Sequence, residues 1–160
     1  ADEIFANAEL GNADFVCSKA AQTGALRRMI WLDREGPIDY LEPFKERLLA
    51  RRVAKFDESN WWKWGRRHPI SDAPRLYVNQ KTRRPRPFFL DACRNYDGAI
   101  LALFPHRRDA GLEGLRDLLN DVDWAELGFV CDGRFLFAQR SLAQALLPED
   151  FAPFATRALV

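Results

Sequence analysis

The sequence predicts an α+β fold: a single mixed domain of short strands, a basic loop region and several amphipathic helices. Two observations carry that prediction. Short apolar runs bounded by turn residues stand between segments whose apolar positions recur at helical spacing. Their order is mixed, neither alternating βα units nor strands alone. The 160 residues are 48% hydrophobic and 12% aromatic, enough to bury a core and too apolar for a disordered chain.

The first dozen residues are weakly helical. Leu26–Leu32 (LRRMIWL) reads as a strand closed by the turn residues Asp33 to Pro37. Ile38–Arg52 places Leu41, Phe44, Leu48 and Leu49 on one helical face, with Pro43 in the first turns, where proline is best tolerated. Leu76–Val78 and Phe88–Leu90 read as short strands around a basic loop stiffened by Pro85 and Pro87. After the turn Asp97-Gly98, Ala99–Phe104 reads as a buried strand. Leu112–Asn120 is an amphipathic helix, and Trp124–Val130 is expected to extend the helical region. Asp132-Gly133 turns into the strand Arg134–Phe137. Ser141 is expected to cap a last helix, Leu142–Leu147, ended by Pro148. No repeat or low-complexity tract interrupts the chain.

A net charge of +1 conceals an asymmetry. Residues 45–108 hold 16 Lys and Arg against 6 acids, a balance of +10, and the remainder is 8 against 17, a balance of −9. Asn60–His68 reads NWWKWGRRH and Arg75–Pro87 reads RLYVNQKTRRPRP. Nucleic-acid surfaces combine such groups: Arg and Lys for phosphates, Arg, Asn and Gln for base edges, aromatics to stack or brace. The plainer alternative is a solvated face neutralised in space by acidic neighbours. Trp61, Trp62 and Trp64 likewise have the ordinary role of core residues with one polar edge. Arg134 is read as a solvated hairpin residue.

Catalytic signatures are absent from the sequence. It has no G-x-G-x-x-G, no phosphate-binding loop and no G-x-S-x-G elbow. Neither C-x-x-C nor H-x-x-x-H spacing occurs, so no metal is expected from His68, His106 and the cysteines. Cys17, Cys93 and Cys131 are an odd, widely spaced set that suits a reducing cytosol, and they are expected as small buried hydrophobes. Glu42 and Lys45 lie one helical turn apart, but no strand acid joins them as a nuclease site would require. The longest uncharged apolar stretches, such as Ala99–Pro105, are too short for a membrane helix, so no membrane is expected and the location is expected to be cytoplasmic.

Four segments in this order resemble the target-recognition domain of DNA adenine methyltransferases, of the gamma-type or fused restriction–modification kind. They are Tyr40–Arg52 (YLEPFKERLLARR), Asn60–Arg66 (NWWKWGR), Pro74–Phe89 (PRLYVNQKTRRPRPFF) and Asn120–Pro148. Such domains carry a YL-x-x-(F/Y)K-x-x-L-x-x-R helix and a W-x-x-W-like element. A basic strand follows, then an L-x-x-LLN helix (here Leu115–Asn120) and a closing apolar-then-Pro segment. The resemblance spans residues 26–150, leaving 1–25 as an expected connection to a covalently linked catalytic domain in a longer parent protein. The start ADEIFANAELG, without an initiator Met or a signal pattern, agrees with that expectation.

The resemblance implies double-stranded DNA as partner and a modification methylase of a restriction–modification system as parent. The family's S-adenosylmethionine loop and its (N/D)-P-P-(Y/F/W) tetrapeptide are not in this sequence. The cofactor and the chemistry of DNA methylation are therefore expected in the linked domain, and this chain alone is not expected to be an enzyme. Within the DNA-binding set, Asn79, Gln80, Lys81, Arg83, Arg84 and Arg86 are assigned to base readout. Lys63, Arg66, Arg67 and His68 are assigned chiefly to phosphates, with Trp61 and Trp62 beside them. The alternative from another class is a stand-alone RNA-binding or protein-interaction module; a nuclease is the third.

Overall fold

The structure, a computed structural model, describes residues 2–31, 35–65, 71–107, 109 and 111–154. It is an α+β fold. In chain order its elements are α1 (Asp2–Phe5), β1 (Ala13–Phe15), α2 (Ala20–Thr23), β2 (Arg27–Met29), α3 (Lys45–Leu49), β3 (Leu76–Asn79), β4 (Lys81–Thr82), β5 (Phe88–Phe89), β6 (Ile100–Leu103), α4 (Leu112–Asp121), β7 (Val130–Cys131), β8 (Arg134–Leu136) and α5 (Gln139–Ala143). Tight 3-10 turns span Asp39–Phe44 and Glu149–Phe154.

The chain folds into two compact units, Ala1–Phe15 with Arg27–Ile70 and Val16–Leu26 with Ser71–Val160. Residues 1–25, expected as a connection, therefore supply structure to both. Ile4, Phe5 and Phe15 are buried in the first unit's core, and Val16 and Ala20 in a cluster of the second.

In the first unit β1 pairs antiparallel with β2, Ala13 opposite Met29 and Phe15 opposite Arg27. The expected helix over 38–52 is instead a 3-10 turn that leads into the short α3. Pro43 explains the break, because it offers no N–H to the helical ladder and disfavours α geometry in the residue before it. Leu41 and Leu48 still reach the core, so the apolar face is kept while the helix is not.

The second unit holds two three-stranded antiparallel sheets, ordered β5-β3-β6 and β4-β8-β7. All four residues of β3 are buried. Leu76 and Val78 join a large cluster under α4, while Tyr77 packs with Ile100, Val16 and Ala20 on the other face. Leu115 and Leu119 bury the apolar stripe of α4. Asn120 fastens its end to the edge of the sheet: Oδ1 accepts the Phe88 N–H and Nδ2 donates to the Phe88 carbonyl, both at 2.9 Å. That pair satisfies both backbone groups of an edge residue.

Trp124–Val130 does not continue the helix. Val122 is extended, and the Trp124 indole N–H donates to the Leu119 carbonyl at 2.7 Å, closing the last turn of α4. Phe88, Phe129 and Phe137 surround that indole with ring centroids 5.1–5.4 Å away. Val130 and Cys131 then form β7. The turn to β8 has positive φ at both Asp132 (50°) and Gly133 (67°), the hairpin geometry that Asp-Gly favours. The last helix begins earlier than expected, with Ala138 and not Ser141 at its N-cap and no side-chain cap. Of the cysteines, expected as small buried hydrophobes, Cys17 is buried, Cys93 half-buried and Cys131 exposed on the edge strand β7.

Candidate nucleic-acid interface

The expected DNA-binding residues separate once their surroundings are known. Trp61 and Trp62 are only 2% and 7% exposed and belong to the core of the first unit. A turn explains their inward aim: Asp57 Oδ1 accepts the Ser59 N–H, Asn60 Oδ1 accepts the Asp57 N–H, and the Trp61 N–H donates to the Asp57 carbonyl. Buried to this degree, neither ring offers a face to a base, which removes both from the interface. Lys63 is exposed, its ammonium 6.0 Å from the Trp62 ring centre. Arg66, Arg67 and His68 lie outside the described residues.

Several arginines of the basic segment serve the fold. Arg51 donates to the Leu48 and Trp61 carbonyls and lies 3.8 Å over the Phe56 ring, and burial holds its guanidinium below the ordinary pKa. Arg75, also buried, donates to the carbonyls of Ser71, Ala73 and Arg94. Lys45, considered beside Glu42 for a nuclease, pairs with Glu58 at 2.5 Å, a hydrogen bond that raises its pKa.

The residues expected to read bases run from Asn79 to Arg86, and most of that set is engaged or buried. Asn79 is 6% exposed and donates from Nδ2 to the Ser18 carbonyl at 2.8 Å. It braces α2's approach to β3 and presents nothing outward. Gln80 carries the chain from one sheet to the other: its N–H donates to Ala99 at 2.9 Å and its carbonyl accepts the Phe137 N–H at 2.8 Å. Its side-chain amide donates to the Gly98 carbonyl. Arg84 is half-buried, with one guanidinium nitrogen enclosed without a hydrogen-bond partner. Arg86 folds back on α4, 2.9 Å from Asp121 and 3.6 Å from Asp117 one turn earlier. The Asp117 carboxyl is held below its usual range, first by its hydrogen bond with Arg116 and further by Arg86.

Lys81 and Arg83 remain exposed, and neither makes an ion pair among the described residues. Strand pairing adds a cation that its place in the sequence marks only as a hairpin residue. Lys81 lies opposite Leu136 and Thr82 opposite Phe135, while Cys131 lies opposite Arg134. Opposed residues share a face and successive residues change face, so Lys81, Leu136 and Arg134 stand on one side of this sheet. Phe135, on the other, packs into the cluster under α4. Lys81 and Arg134 are diagonal neighbours, about 7–8 Å apart. Arg134 also has no ion pair among the described residues. No signal short of the β4–β8 register would have brought it to Lys81, because 53 positions separate them in sequence.

Chemically, this face is a cationic ridge. It can bridge neighbouring phosphates, and Arg134 has the forked geometry that suits guanine. Among the described residues no three His, Cys, Asp or Glu gather as metal ligands, and no helix is long and apolar enough to cross a membrane. Compared with known proteins, the chain matches no family model, no curated protein and no solved structure.

Proposed function

We propose that this chain is the double-stranded DNA-binding, target-recognition part of a site-specific DNA adenine methyltransferase, a modification methylase of a restriction–modification system. One observation supports DNA contact above the others: exposed Lys81 and half-buried Arg134 share a sheet face, with no carboxylate paired to either among the described residues. The class of enzyme rests on the order of the four sequence segments. S-adenosylmethionine and the methyl transfer belong to a covalently linked catalytic domain. Chemistry on a base requires it to be flipped from the duplex, and a domain that grips the flanking DNA offsets that unstacking cost of a few kcal/mol.

Burial of Trp61 and Trp62 weighs against a single-strand RNA module, since base stacking on exposed aromatics is its usual source of affinity. Binding of labelled duplex DNA and of single-stranded RNA across a salt series tests the choice. Duplex preference with a steep negative salt slope is expected. Equal or tighter binding of RNA, or no binding of duplex at low salt, contradicts it.

A further inference from the structure

We propose that the turn after α4 and the segment after α5 form a docking groove for a partner-protein segment with two apolar anchors and flanking lysines or arginines. Two hollows of about 460 and 380 Å³ adjoin in the second unit and share Leu127 and Leu146 in their walls. Leu146 is 87% exposed, and Leu127 and Leu147 are also open to solvent. These three leucines give the two hollows adjoining apolar anchor points at the surface.

Charge complementarity names the occupant. Asp121, Asp123 and Glu126 line the second hollow, and Glu149 and Asp150 follow directly on Pro148 in its wall. Residues 120–133 and 141–150 together hold six acids and no Lys or Arg. Arg86 pairs with Asp121, and Asp123 Oδ1 accepts the Glu126 N–H, but among the described residues no cation pairs with Asp123, Glu126, Glu149 or Asp150. At the opposite end the first hollow is walled by Leu136, whose strand face carries Lys81 and Arg134. Cations on the occupant are therefore drawn to the Asp121–Glu126 end and repelled from the Leu136 end. This proposal does not rest on the DNA-binding reading.

The test uses the full chain and a fluorescent peptide of leucine and lysine, about four helical turns long, with leucines at helical spacing. Two controls accompany it: the same composition scrambled, and a leucine–glutamate counterpart. Saturable binding of the first peptide alone is expected, with amide shifts confined to residues 121–128 and 144–150. Leu146→Glu and, separately, Leu147→Glu are expected to weaken it roughly tenfold or more, as loss of a central apolar anchor does. Both positions are exposed, and an unchanged thermal melt verifies each fold. The Lys81→Ala/Arg134→Ala variant is expected to bind the peptide undiminished, which separates this surface from any DNA site. Equal binding of the scrambled peptide, binding of the glutamate peptide, or shifts elsewhere would overturn the proposal. So would self-association of the chain that Leu146→Glu abolishes, since the occupant is then a second copy.

Discussion

Trp61 lies in the core and Arg134 stands on the same sheet face as Lys81, and the immediate sequence surroundings decide neither placement. A tryptophan flanked by cations is compatible with a stacking platform and with a core anchor, and only the Asp57–Asn60 turn decides between them. Trp61→Ala is expected to cost about 3–5 kcal/mol of stability, read by denaturant unfolding, while DNA affinity of the folded protein stays unchanged. Arginine is ambiguous for a related reason: its fork suits backbone carbonyls as well as phosphates. Arg51 and Arg75 bind carbonyls and Arg86 binds carboxylates, so the +10 of the middle segment overstates what faces a ligand. Tyr77 gives a pH test of the second unit. Its hydroxyl donates to the Cys93 carbonyl at 2.6 Å, and burial pushes its pKa up to about 12. A phenol with a raised folded pKa contributes stability fully present below its unfolded value of 10.0 and lost as pH rises through about 12. Alkaline unfolding of the parent protein is therefore expected to be steeper than that of Tyr77→Phe over that window. Coincident curves would place the burden on other groups.

At the scale of elements, the legible parts were those whose signal lies within a few residues. Apolar alternation and turn chemistry identify β3, β6 and the Asp132-Gly133 hairpin, and leucine spacing identifies α4. The two-residue strands β4 and β7 were not legible, because a dipeptide becomes a strand only through its partner's register. Lys81-Thr82 reads as loop for that reason, and Val130 reads as helix. The site suffers most, since its sheet face is defined by that same register. Gly133 offers a local test. Space around it is open, so Gly133→Ala acts through its positive φ alone. It is expected to cost about 1–2 kcal/mol and to weaken DNA binding by disturbing Arg134. Asn120→Ala, which leaves both Phe88 backbone groups without their partner, is expected to cost about 1–3 kcal/mol, read by thermal or denaturant melting.

For the whole molecule, the α+β class followed from the mixed order of elements, but the division into two units did not. Each unit is assembled from two separated stretches, so no composition change or linker announces the boundary. The charge asymmetry survives as a smaller claim: two cations on one sheet face, without ion pairs among the described residues, carry the proposed contact with DNA. The most direct test compares the salt dependence of duplex binding for the parent protein and the Lys81→Ala/Arg134→Ala variant. Each phosphate contact contributes about 0.9 to the slope of log affinity against log salt, so the double variant is expected to be shallower by roughly two. Arg86→Ala, measured alongside, is expected to leave the slope unchanged. A double variant with the parent's slope and affinity would contradict the account.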